Sequence, residues 1–182
     1  MQVVFILFTI FLILAVLMVW SLSTMVGLIR ARGVPFVTLR KSQLQAIGKY
    51  VKLNPFDRLV DLGCGDGRVL RLFARQGVKV LHGYDVNLWA CFLAGSINFI
   101  KGVKAEIYFK NFNQVNLKEY NIVFCYLLEG SLKRLRDKFD RELKPGTKVV
   151  SYAFEIKDWR KPKIIYTNLE NKKLGRIFIY TI

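Results

Sequence analysis

The chain of 182 residues is poor in histidine, with His82 alone, and in cysteine, with Cys64, Cys91 and Cys125. No Cys-x-x-Cys spacing occurs and the histidine stands apart, so the sequence offers no cluster able to hold a metal. The thiols read as small buried side chains in a reducing compartment, and His82, inside an apolar run, as a strand residue. Acids are scarce as well: 13 Asp and Glu face 29 Lys and Arg, a net charge of +16. The most informative absence is local. Met1 to Ile29 holds no Asp, Glu, Lys or Arg, so all of the charge lies from Arg30 onward.

That uncharged leader exceeds the roughly 20 residues needed to cross the hydrocarbon core of a bilayer. A cleaved secretory signal would show a basic start, a short apolar core and a small-residue cleavage site, and none of these is clear. Residues 1–29 are therefore expected to form a transmembrane anchor, with Trp20 at an interface. Nothing basic precedes the span, whereas Arg30, Arg32, Arg40 and Lys41 follow it. The positive-inside rule then places the rest of the chain on the cytoplasmic, or matrix-equivalent, face of a single-pass protein.

Residues 30–37, punctuated by Gly33 and Pro35, read as a linker to one domain over 38–182. Within it a helix is expected over Thr38–Leu53, with Leu44, Ile47 and Val51 on one face. Strands follow at Arg58–Leu62, Lys79–Tyr84, Ala105–Phe109, Asn121–Leu127 and Lys148–Phe154. Helices at Arg68–Gln76, Asn87–Ile100 and Ser131–Leu143 lie between them. Lys163–Leu169 and Arg176–Ile182 read as a hairpin around the polar turn Glu170–Gly175. Alternating strands and helices make an α/β fold: a doubly wound, Rossmann-like, mainly parallel sheet closed by an antiparallel C-terminal hairpin. Ligands in such sheets bind beyond the carboxyl ends of the strands.

The chemistry concentrates where the first strand meets its helix, in Val60-Asp61-Leu62-Gly63-Cys64-Gly65-Asp66-Gly67-Arg68. Glycines there let the backbone turn tightly against a ligand. The dinucleotide fingerprint G-x-G-x-x-G is not met, because its third glycine falls on Arg68. Asp61 would also repel a pyrophosphate and suits a ligand that carries an ammonium group. About 20 residues on, Asp85 ends the next strand, where an acid can bind both hydroxyls of a ribose.

An acid followed by Gly63, Gly65 and Gly67 resembles the cofactor motif of class I S-adenosyl-L-methionine-dependent methyltransferases. The resemblance implies that Asp61, Gly63, Cys64, Gly65 and Gly67 hold the methionine end of the cofactor. It implies further that Asp85 and Val86 hold the ribose, and that Asn111 and Phe112 meet the adenine, with Asn111 standing where the class often has an acid. The fourth strand lacks the Asn/Asp-Pro-Pro-Tyr/Phe run of base-amino methylases and the Pro-Cys of cytosine methylases, so nucleic acid is a disfavoured substrate. A wider set comprises Pro35-Phe36-Val37-Thr38, Tyr126-Leu127-Leu128, Glu142 to Thr147, Val149 to Phe154, and Asp158-Trp159. It resembles the protein-lysine methyltransferases that include the ATP synthase c-subunit enzyme and its archaeal relatives.

The resemblance implies transfer of a methyl group to a lysine side chain, with Tyr126, Glu129, Tyr152 and Glu155 lining the acceptor channel. Alternatives are a small molecule, a lipid-like quinone or RNA as acceptor, and a cofactor-binding subunit without catalysis. The basic surface includes Lys133, Arg134, Arg136, Lys138 and Arg141 along one helix. Beside a membrane span it reads as a solvated face or a seat on anionic lipid.

Overall fold

Seven short apolar runs pair into one sheet, and the helices between them cover it. The computed structural model describes residues 1–30, 38–167 and 175–182, with Thr24 and residues 27–30 described by backbone alone. Of the expected linker over 30–37, Arg30 belongs to the N-terminal helix and residues 31–37 lie outside the described residues, as do residues 168–174, which include most of the expected turn Glu170–Gly175. The elements are α1 (Gln2–Arg30), α2 (Lys41–Tyr50), β1 (Arg58–Leu62), α3 (Arg68–Ala74), β2 (Val80–Asp85) and α4 (Leu88–Ile100). They continue with β3 (Glu106–Phe109), β4 (Ile122–Cys125), α5 (Glu129–Glu142), β5 (Lys148–Tyr152), β6 (Lys163–Tyr166) and β7 (Arg176–Thr181).

The strand order is β3-β2-β1-β4-β5-β7-β6. The first five strands are parallel, and β7 runs antiparallel to both β5 and β6. This is the doubly wound sheet with a terminal hairpin that the residue pattern implies. The connection order reverses between β1 and β4, which opens a crevice beyond their carboxyl ends.

Period-2 alternation divides the strands between two cores. Val60, Leu62, Val123 and Val149 face α5, where they meet Leu132, Leu135, Phe139 and Leu143. Leu59, Leu81, Phe124 and Val150 face α2 and α3, where they meet Ile47, Leu70 and Phe73. The central strands β1 and β4 are buried on both faces, so they read as continuous apolar runs.

Several elements are shorter than their sequence patterns. Helix α2 starts at Lys41 rather than Thr38, because the N–H of Arg40 turns back to Gln43 Oε1 at 2.6 Å. It stops at Tyr50, and the N–H of Leu53 goes instead to Gln76 Oε1 at 3.0 Å. Strand β5 ends at Tyr152 because Ala153 takes φ 69°, a left-handed conformation that no strand contains. Strand β4 ends at Cys125, and Tyr126 to Leu128 lead out of the sheet into α5, which begins at Glu129.

Candidate functional site

The crevice is built by the turn between β1 and α3. Gly63, Gly65 and Gly67 all take positive φ, at 81°, 55° and 76°, which a side chain there would oppose. The turn is fastened to β2. The N–H groups of Gly63 and Cys64 both donate to the carbonyl of Tyr84, at 2.8 and 3.1 Å. The N–H of Gly65 donates to Asp85 Oδ2 at 2.8 Å. The other oxygen of Asp85 accepts the N–H of Asn87 at 2.9 Å. Asp85, which also accepts the backbone N–H of Val86, therefore ties the glycine turn to the start of α4.

Asp61 lies beside this tie, 2% exposed. Burial pushes its carboxyl well above the ordinary range, and the nearby charges of Asp85 and Asp66 push it the same way. Burial also raises Asp85, against the backbone N–H groups that it accepts. Asp66 behaves differently. Burial acts to raise it, but hydrogen bonds from Arg68 and the charges of Arg68 and Arg71 prevail and hold it low. Arg68 also donates to the carbonyl of Leu39, which brings the chain ahead of α2 against the glycine turn. Two buried acids side by side near the carboxyl ends of β1 and β2 suit a ligand that brings a cation and hydroxyl donors.

Val86 is half-buried after Asp85, and Asn111 and Phe112 are half-buried beyond β3. The side-chain Oδ1 of Asn111 accepts the N–H of Asn113 at 2.9 Å, which leaves it one further acceptor position. The three thiols are buried, and burial raises each of them, Cys91 to about 12. Among the described residues no group of His, Cys, Asp and Glu is placed to hold a metal.

The four expected acceptor residues fall into two pairs. Tyr126 and Tyr152 meet edge to face, with ring centroids 5.5 Å apart at 75°. Tyr126 is half-buried. Tyr152 is buried, which raises its hydroxyl against hydrogen bonds with Thr167 and Gln43. Glu129 and Glu155 are exposed, and both act on the ammonium of Lys157, which Glu129 holds at 2.8 Å.

Two further residues shape the site without having been singled out in the sequence. A Cβ on Gly83 would lie 2.7 Å from Leu70 Cδ1 and 2.8 and 2.9 Å from Cys64 Sγ and Cβ. A glycine inside an apolar strand is the signal that marks such a close approach. Ala153 carries its positive φ just beyond Tyr152, held by its N–H to the carbonyl of Arg176 at 2.7 Å and by Ser151 Oγ donating to the carbonyl of Phe154 at 2.6 Å. No sequence signal points to Ala153, since alanine rarely adopts that conformation.

Comparison with known proteins bears on this arrangement. The family model of the ANTKMT methyltransferase domain matches residues 61–163. A protein-lysine N-methyltransferase of Saccharolobus islandicus (strain REY15A) is 31% identical over 154 residues, covering 82% of this chain and 94% of the relative. The adenine nucleotide translocase lysine N-methyltransferase of Mus musculus is 29% identical over 157 residues, covering 84% and 68%. Among solved structures, an RNA methyltransferase from Salinibacter ruber in complex with S-adenosyl-L-homocysteine superposes with a TM-score of 0.71 at 26% identity, covering 80% and 94%.

Proposed function

The chain belongs to the ANTKMT methyltransferase domain family, and from that membership we propose that it methylates a lysine side chain of a protein in or on the membrane that α1 crosses. S-adenosyl-L-methionine is the methyl donor. The observation that carries the reading is the buried Asp61 beside a glycine turn fastened at 2.8 Å to Asp85.

The donor set fits the cofactor. Asp61, raised by burial, gains a partner when an ammonium enters, and the Asp85 carboxylate at the end of β2 suits ribose hydroxyl donors. Gly63, Cys64, Gly65 and Gly67 line the methionine side without side chains that fill it. Val86 flanks the ribose, and Asn111 and Phe112 flank the adenine. When bound, the cofactor supplies a methyl group already activated by its sulfonium. The protein's part is alignment, which can contribute several kcal/mol.

The acceptor nitrogen must lose its proton first. For a lysine of ordinary pKa this costs roughly 4–5 kcal/mol at neutral pH. Tyr126 and Tyr152 offer a desolvated aromatic slot that lowers the amine's pKa and offsets part of that cost. We assign Glu129 and Glu155 to its mouth, and Glu129 already holds one ammonium, that of Lys157.

Helix α1 is long and apolar enough to cross a bilayer over Gln2–Ser23, and its side chains there are almost all exposed. By the positive-inside rule, Arg40 and Lys41, with the bases that precede them in sequence, favour the cytoplasmic or matrix-equivalent side for the domain over 38–182. Protease added outside right-side-out vesicles should leave the C-terminus intact, and cleavage there would sink this topology. The relative that methylates a lysine of a translocase agrees with a membrane target.

The similarity to an RNA methyltransferase, together with the net charge of +16, gives RNA as the second reading. Tritiated S-adenosyl-L-methionine incubated with the full chain and its membranes separates the two. Label in a protease-sensitive band, lost in Asp85→Ala, supports the lysine reading. Label in the RNA or organic-solvent fraction overturns it. Binding without transfer would leave a subunit that holds the cofactor and does no chemistry.

A further inference from the structure

The two long helices that cover the sheet have opposite outer faces. Helix α5 turns Lys133, Arg134, Asp137, Asp140 and Arg141 to the surface, as a helix in water does. Helix α4 contains no charged residue at all. Its inner face buries Ala90, Cys91, Ala94 and Asn98 against the sheet. Its outer line is Leu88, Phe92, Gly95 and Phe99, at i, i+4, i+7 and i+11, with Ile100 beside it. Phe92 is 62%, Phe99 88% and Ile100 79% exposed. A contiguous apolar stripe of this kind marks a surface that is covered by something other than water.

The structure indicates what covers it. The apolar span of α1 ends at Ser23. Ser23 Oγ accepts the N–H of Trp89 at 2.9 Å and donates to Asn87 Oδ1 at 3.2 Å. The point at which α1 leaves the bilayer is thus hydrogen-bonded to the first turn of α4. Trp89 stacks on Phe92 with centroids 5.6 Å apart, and tryptophan at the head of such a helix favours the bilayer interface. Exposed Lys101, Lys104 and Lys110 flank the stripe, and exposed Phe109 on the edge strand β3 lies on the same side of the sheet. Aromatic and aliphatic residues on one face with lysines at the rim make the chemistry of an interfacial helix on anionic lipid.

We infer that α4 is a second membrane contact, lying in the interface of the bilayer that α1 crosses, with Leu88, Phe92, Phe99 and Ile100 among the acyl chains. The inference rests on the membrane reading of α1 and goes beyond it. A single anchor would let the domain swivel, whereas an anchor and a helix about 20 Å long fix one side of the sheet against the lipid. Because Asp85 and Asn87 sit at the end of α4 nearest Ser23, the cofactor end of the sheet faces the point where α1 emerges.

Tryptophan quenching by brominated acyl chains tests this on the full chain, reconstituted in phosphatidylcholine vesicles doped with phosphatidylglycerol. Three single-indole proteins are compared. Trp89→Phe with Trp159→Phe leaves Trp20 as the reporter. Adding Trp20→Phe and Phe99→Trp moves the reporter to the far end of α4. Replacing Phe99→Trp by Phe56→Trp, at an exposed loop before β1, gives the control. Retained binding of S-adenosyl-L-homocysteine certifies each fold, and Phe92→Trp or Ile100→Trp replaces a variant that loses it.

The expected result is brominated-lipid quenching of Trp20 and of the Phe99→Trp indole, with the Phe56→Trp indole unaffected and open to aqueous iodide. Quenching of Trp20 alone, with iodide reaching the Phe99→Trp indole, overturns the inference and leaves the anchor standing. Shielding of that indole from both quenchers also overturns it, in favour of a protein covering α4. Quenching at neither Trp20 nor α4 removes the anchor reading itself.

Discussion

Gly83→Ala perturbs the site with a single methyl group and no change of charge. Gly83 pairs with Asp61 across β1 and β2, two residues before Asp85. Its new Cβ would meet Leu70 Cδ1 at 2.7 Å and Cys64 Cβ at 2.9 Å, about 1 Å inside ordinary carbon contact. The leucine methyl can rotate away. The cysteine Cβ moves only with its backbone, and that backbone is pinned to Tyr84 at 3.1 Å. Overpacking of this kind costs about 1–3 kcal/mol. For a chain of this size that lowers Tm by about 2–12 °C. The turn that must give way is the one that would cradle the cofactor, so the Kd of S-adenosyl-L-homocysteine should rise about tenfold, near 1.4 kcal/mol. Thermal unfolding in detergent and titration calorimetry read the two effects. Cys64→Gly removes both cysteine atoms in the clash, so a double-mutant cycle should show favourable coupling of about 0.5–3 kcal/mol. An unchanged Tm and Kd in Gly83→Ala, or no rescue by Cys64→Gly, would refute the close approach of turn and strand.

The raised carboxyl of Asp61 gives a signed pH dependence. The free site keeps this proton to a higher pH than an unfolded chain does, so Asp61 contributes stability that is lost as pH rises through the raised value. A bound ammonium favours the carboxylate, so cofactor binding should release protons and weaken as pH falls through the same window. Calorimetry in buffers of different ionisation heat measures that release, and binding without it at every pH below the loss of the Asp61 proton counts against Asp61 as the ammonium partner. At the acceptor side, Tyr126→Phe should slow methyl transfer while leaving cofactor Kd unchanged, and equal rates and products would remove its hydroxyl from the mechanism. Tyr152→Phe should lower stability by about 1 kcal/mol through its lost hydrogen bonds, read as a shift of the denaturant midpoint.

The alternation of strands and helices was legible because each element carries its own period. Strand β1 has the bounds that its residues predict, and α4 begins within one residue of the expected Asn87, which caps it by accepting the N–H of Ala90 at 3.1 Å. Asp61, Asp85 and the three glycines are likewise local signals, fixed by the turn they must make. What escaped the sequence depends on residues distant along the chain. The demand on Gly83 comes from Leu70 and Cys64, the left-handed Ala153 is held by Arg176, and Ser23 meets Asn87 and Trp89 more than sixty residues on. The early end of β4 has the same origin, since Leu127 leaves the strand to pack within 2.8 Å of where a Cβ on Gly63 would be.

Charge sets a constraint on any lysine acceptor. A domain with all of the +16 beyond residue 29 repels a basic target in solution, and its acids are outnumbered 13 to 29 by Lys and Arg. Helix α1 answers this if it is a tether, because confinement to one surface replaces collision with an effective concentration that can reach the mM range. The same bases then favour the arrangement, each contributing about 1 kcal/mol near an anionic leaflet. Salt weakens both the repulsion and the attraction, with opposite consequences for the rate. Screening over a Debye length of about 8 Å at physiological ionic strength weakens both the repulsion from a soluble lysine peptide and the attraction to anionic lipid. Raising salt should therefore speed methylation of a free basic peptide by detergent-solubilised enzyme. It should slow or leave unchanged methylation of a target in the same anionic vesicle. Equal acceleration of both would show that the net charge acts on the substrate alone and that the lipid surface plays no part in presenting it.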